Sequence, residues 1–156
     1  MKRMLLFILV MALLLLLAGC SKTDAQAPNA IQLLPEGELV RVSCSPWNSS
    51  TSGTLKGVAT DDLLAQIRQC VDGFAVKEVN STQSGARSVL LVFDYAEQED
   101  IYLVFTASWN GNHYFETWGP DVFYGRDRAR YYLVDAVQAE HLWELIYQIA
   151  EQEKET

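Results

Sequence analysis

The stretch SVLLVFDYAEQEDIYLVFTASWNGNHYFETW, residues 88–118, decides the architecture. Val89, Leu91, Phe93 and Tyr95 alternate with other residues, as do Ile101, Leu103, Phe105 and Ala107. Period-two alternation places each set on one face of a strand. Glu97-Gln98-Glu99 and Asn110-Gly111-Asn112 interrupt the alternation with turn chemistry, so two hairpins are expected. A three-residue connection at 97–99 sets the two apolar faces side by side. A three-residue loop at 110–112 pairs Ala107 with Phe115 and is preferred over a two-residue turn, which would place Glu116 opposite Phe105.

The pattern extends in both directions. Val40, Val42 and Cys44 alternate with Arg41 and Ser43 in a first strand over 38–45, and 54–58 is a short return strand. Thr60 then caps a helix that has Asp61 and Asp62 in its first turn and Leu63, Leu64, Ile67, Cys70 and Val71 on one side, with Gly73 as its stop. Strands follow at 74–79 and 129–134. Asp135 and Gln138 resemble a capping box for a last helix to about residue 153, with Leu142, Leu145, Ile146 and Ile149 inward. The order β-β-α-β-β-β-β-β-α implies an α+β domain, a mainly antiparallel sheet with both helices packed on one face.

The chain has 156 residues, 49% of them hydrophobic, with 12 Lys and Arg against 20 Asp and Glu. That suits one folded domain. A net charge of −8 excludes a dedicated nucleic-acid binder, which needs clustered cations against phosphate. At the N-terminus, MKRMLLFILVMALLLLLAGC carries Lys2 and Arg3, then an apolar run to Ala18. This is the pattern of an export signal and is shorter than the ~20 residues a spanning helix usually takes. Leu17-Ala18-Gly19-Cys20 resembles the lipobox of bacterial lipoproteins.

That resemblance implies cleavage before Cys20, a diacylglyceryl group on its sulfur, and a domain lipid-anchored on the extracytoplasmic side of a bacterial membrane. Residues 1–19 are then the signal peptide, 20–36 the lipidated cysteine and a flexible linker, and 37–156 the domain. Loss of Lys2 and Arg3 leaves ten basic against twenty acidic residues, a charge of −10, so an anionic surface repels the domain and the tether is lipid. In order and size the domain is similar to small lipoprotein domains of Gram-positive bacteria.

Several residues could carry chemistry. Cys44 and Cys70 lie on a strand and a helix that can meet; they either form a disulfide or stay as buried thiols. His113 follows the Asn-Gly turn, and His141 shares a helix face with Glu144, a spacing open to a metal but also ordinary for a solvated surface. No HExxH, CxxC pair, GxSxG or phosphate-binding glycine loop is present, and no metal or cofactor is expected. Arg126, Arg128 and Arg130 form the one basic cluster. Fourteen of the seventeen aromatic residues fall between Phe93 and Tyr147.

The preferred registers send Leu90, Val92, Tyr102, Val104, Tyr114 and Trp118 to the sheet face away from the helices, with Asp94, Thr106, Ser108 and Glu116 among them. Such a face is either a binding surface or a second core layer under the loop 119–128. The function expected is a non-enzymatic envelope module that binds a protein partner or ligand. The alternatives are a cell-wall hydrolase using His113 or His141 with a carboxylate, or an acidic inhibitor or immunity-type lipoprotein steered to a cationic enzyme. A domain serving only as a spacer is the fourth reading.

Overall fold

A computed structural model describes residues 31–47, 55–83, 85–118 and 129–155. The chain divides into units 1–30 and 31–156, and the described residues all belong to the second. The signal, Cys20, most of the 119–128 loop's arginine cluster and the turn at 48–53 lie outside the described residues.

Seven strands, β1 Leu39–Pro46, β2 Gly57–Val58, β3 Val76–Val79, β4 Gly85–Tyr95, β5 Ile101–Ser108, β6 His113–Trp118 and β7 Arg130–Val134, form one sheet. Its order is β2-β1-β4-β5-β6-β7-β3, and every pairing is antiparallel. Helices α1 Asp61–Asp72 and α2 Ala136–Glu155 complete the α+β fold in the expected element order. The core lies on the helix side of the sheet. It joins Val89, Leu91, Phe93, Leu103, Phe105 and Phe115 to Leu63, Ile67 and Val71 of α1 and to Leu142, Leu145, Ile146 and Ile149 of α2. Among the described residues no helix is long and apolar enough to cross a membrane.

Both hairpin registers differ from expectation by two residues, which leaves every side chain on its expected face. Phe93 pairs with Ile101 and Leu91 with Leu103. In the second hairpin, Ala107 pairs with His113 and Phe105 with Phe115, so the loop is Trp109-Asn110-Gly111. Gly111 has φ +84°, the left-handed position that such three-residue turns need. Ser108 N donates to Asn112 O at 2.9 Å, and Gly111 N donates to Ser108 O at 3.1 Å.

Val40 is a second correction. The β1–β4 register shifts between Leu39 and Arg41, and this bulge turns Val40 out to 52% exposure while Val42 and Cys44 remain buried. A third concerns the linker. Leu33 and Leu34 belong to the core, so the packed domain begins by Ile31 and not at 37. Arg68 of α1 holds this segment, donating from Nη2 to Pro35 O at 2.8 Å and from Nη1 to Tyr95 Oη at 3.0 Å.

The caps are used unevenly. Thr60 occupies the N-cap of α1, but its side chain makes no capping hydrogen bond, and Gly73 closes the helix with ordinary right-handed backbone, φ −83°. Asp135 caps α2, its Oδ1 accepting from the backbone N of Val137 and Gln138 at 3.0 and 3.3 Å. Gln138 does not complete the box. Its amide accepts from Ala75 N at 3.0 Å and donates to Gly73 O at 2.8 Å, fastening the α1–β3 connection to α2.

Candidate functional site

The helix-free face is laid out by the register. One row across it reads Ser43, Val92, Tyr102, Trp118; the next reads Ser45, Leu90, Val104, Glu116, Tyr131; a third reads Ser88, Thr106, Tyr114, Leu133. The six residues expected to share a face therefore do share it, but they are not equally open. Val104 and Tyr114 are buried, along with the polar Asp94, Ser88 and Ser108, whereas Leu90, Val92, Tyr102 and Trp118 are half-buried. Val104 and Tyr114 are thus corrected from contact surface to a second packed layer. The reason is visible in part: the ring of Trp47, at the end of β1, lies 5.6 Å from that of Trp118 on β6. The alternation in sequence reveals which face a residue occupies; it does not reveal what crosses over it.

The polar groups of this face are paired in distinct ways. Arg41 Nε bonds to Asp94 Oδ2, and the Ser88 and Thr106 hydroxyls meet at 3.0 Å. Glu116 is held by uncharged groups. Burial raises its carboxyl pKa above the ordinary glutamate value, and hydrogen bonds from Trp118 and Tyr131 oppose that rise only in part. Tyr131 is shifted upward by burial and by the adjacent Glu116 charge. Trp118 thus links the half-buried Glu116 carboxylate to two further aromatic residues, Tyr102 beside it on β5 and Trp47 against its ring. Of these, Trp47 stood outside the expected face, because its Pro-Trp-Asn-Ser setting reads as turn.

A second cluster lies on the helix side. His113, only 5% exposed, stacks near Phe105 and places Nε2 3.2 Å from Glu140 Oε1 on α2. Arg87 on β4 reaches the same carboxylate at 3.4 Å, donates to Tyr147 Oη at 2.7 Å, and sits 4.2 Å from the centroid of the Trp143 ring. The pairing fastens β4 and β6 to α2. It does bring a histidine to a carboxylate, as the hydrolase reading requires, but the imidazole is enclosed between helix and sheet instead of facing a cleft.

Burial lowers the His113 pKa; Glu140 opposes this and Arg87 adds to it. The unfolded chain, with an ordinary imidazole near 6.5, then binds protons more readily than the folded one, so stability falls as pH drops below about 6.5. Thermal unfolding of the wild type and His113→Gln at pH 7.5 and 5.5 should show the larger loss in the wild type. Glu116 and the other acids are common to both proteins and cancel in the difference. Equal losses would remove His113 as the source.

The remaining candidates are plainly placed. His141 and Glu144 are exposed, 3.5 Å apart, and among the described residues no three His, Cys, Asp or Glu side chains converge as metal ligands would. Cys44 and Cys70 are unbridged in this structure. Cys44 is packed against Gly57 and near Glu153 at the end of α2, and burial pushes its thiol up to about 12. Cys70, on α1, is raised to about 11 by burial. Both stay protonated and unreactive at neutral pH. A recess lined by Glu36, Gly37, Glu38, Glu97 and Gln98 opens beside the β4–β5 connection, made of surface groups alone.

No protein family, no curated protein and no solved structure matches the chain.

Proposed function

We propose that the protein is a lipid-anchored module of a bacterial envelope, held by a diacylglyceryl group on Cys20, that binds a protein partner through the helix-free face of its sheet. The anchor rests on the charged, apolar and small-residue zones of Met1–Cys20. The binding role rests on one observation: Trp47, Tyr102 and Trp118, all half-buried, meet on a sheet face that neither helix covers. Aromatic side chains of this kind offer large contact area with few rotors to immobilise.

The test places a photo-crosslinking residue at Tyr102, with a control at exposed Gln148 on α2, in the full chain expressed in intact bacterial cells. A discrete protein adduct at 102 and none at 148 is the expected result. Fractionation of the same cells should find the wild type in the membrane and Cys20→Ser released from it. Absence of any adduct at 102 in a folded protein would overturn the binding role; membrane retention of Cys20→Ser would overturn the anchor.

A further inference from the structure

We infer that the cluster of Trp47, Tyr102, Trp118 and Glu116 receives a basic side chain, lysine or arginine, of a protein partner. This rests on the proposed binding face and names the chemistry it selects.

The register puts Tyr102 directly beside Trp118, and Trp118 meets Trp47 with ring planes inclined at 60°. Trp118 therefore has Tyr102 beside it on the neighbouring strand and the Trp47 ring against its own. Aromatic faces carry negative electrostatic potential and attract ammonium and guanidinium groups, more strongly where water is partly excluded. Glu116 lies two residues before Trp118 on the same strand and face, opposite Tyr131.

What distinguishes Glu116 is its company. Asp94, on the same face, has Arg41; Asp72 has Arg68; Glu140 has Arg87. Among the described residues no lysine or arginine reaches Glu116, and its partners are neutral donors. A half-buried carboxylate so placed has lost part of its hydration without gaining a counter-charge from the described residues. An incoming cation supplies that charge, and the surrounding rings take up its alkyl stem. The acidic surplus of the chain, 20 against 12, draws a basic partner toward the domain from a distance; the cluster gives it a specific seat.

The test is a titration of the full chain, in nonionic detergent, with hexalysine, following the tryptophan indole resonances. Saturable binding is expected, weakened at least tenfold in Glu116→Gln and at least fivefold in Trp118→Leu. Glu151→Gln, which removes the same charge from exposed helix surface, should stay within twofold of wild type. Dispersed amide spectra of each variant confirm that it is folded. Failure of the wild type to bind, or equal weakening in Glu116→Gln and Glu151→Gln, would overturn the inference.

Failure here is separable from failure of the binding role. If the residue at 102 captures a partner in cells, and Glu116→Gln leaves the yield of that adduct unchanged, the face binds by other chemistry and only the cationic seat is lost. If position 102 captures nothing, the binding role fails with it.

Discussion

Trp143→Ala is expected to cost the domain about 3–5 kcal/mol, the usual range for removing a large buried aromatic. Trp143 is 1% exposed, stacks on Phe105 with ring centroids 4.7 Å apart, and carries the Arg87 guanidinium 4.2 Å from its own centroid. Phe105 in turn stacks on Phe115 at 4.8 Å, so the indole is one end of a ring stack running from α2 into the centre of the sheet. Its loss leaves a cavity under the helix and a guanidinium without its aromatic platform. Domains of this size have about 5–15 kcal/mol in total, so the alanine variant could fail to fold. Trp143→Phe keeps part of the stack and should lose about 1–3 kcal/mol. Urea unfolding of both gives the answer; a loss under ~1 kcal/mol for the alanine variant would mean the stack is not central to stability.

Gly57→Ala is expected to destabilise by about 1–3 kcal/mol, although it adds one methyl group. A Cβ at position 57 would lie 2.9 Å from both Cγ2 and the backbone oxygen of Ile149, and 3.0 Å from Glu153 Oε2. The side-chain atoms can turn aside. The carbonyl oxygen belongs to the helix backbone, so α2 must lift from β2. Because Cys44 pairs with Gly57 across β1 and β2, lifting the helix should also expose that thiol, and its reaction with a thiol reagent should quicken. The neighbouring Val58→Ala, at a residue 54% exposed, should change stability by less than about 0.5 kcal/mol. If Gly57→Ala proves equally mild, the tight approach of helix and strand is wrong.

Face assignments in the sheet were legible because they depend only on parity. The expected pairing of Ala107 with Phe115 was displaced by two residues, yet both side chains still point into the core. Register needs the turn geometry, and that depends on Gly111 being left-handed and on Ser108 closing the loop to Asn112. Val40 was misjudged because a bulge resets parity locally and leaves no mark in composition. Leu33 and Leu34 were hidden in a segment otherwise polar enough to read as spacer.

The site was legible to the same depth. Tyr102, Trp118 and Glu116 could be placed on one face, since strand periodicity fixes that. Trp47 could not, because its place over Trp118 depends on how the chain leaves β1. Nor could the union of Arg87, His113 and Glu140, which come from two strands and a helix; only the core-side parity of His113, shared with Phe115, hinted at its burial. Trp109 was unassigned, and it proves to be the most exposed aromatic of the described residues, at 77%, on the tip of the β5–β6 turn.

The order β2-β1-β4-β5-β6-β7-β3 also fixes how the chain must mature as it leaves the ribosome. β5, β6 and β7 each pair with the strand made just before them and can add to the sheet as they appear. The early part cannot. β1 has only the two-residue β2 beside it until β4 is synthesised, and β3 finds its sole neighbour, β7, near the end of translation. The amino-terminal third therefore emerges as unpaired strand and half-covered helix, and a nascent chain in that condition depends on chaperones or on prompt completion to escape aggregation. Any truncation before Arg130 would leave β3 permanently without its one strand partner.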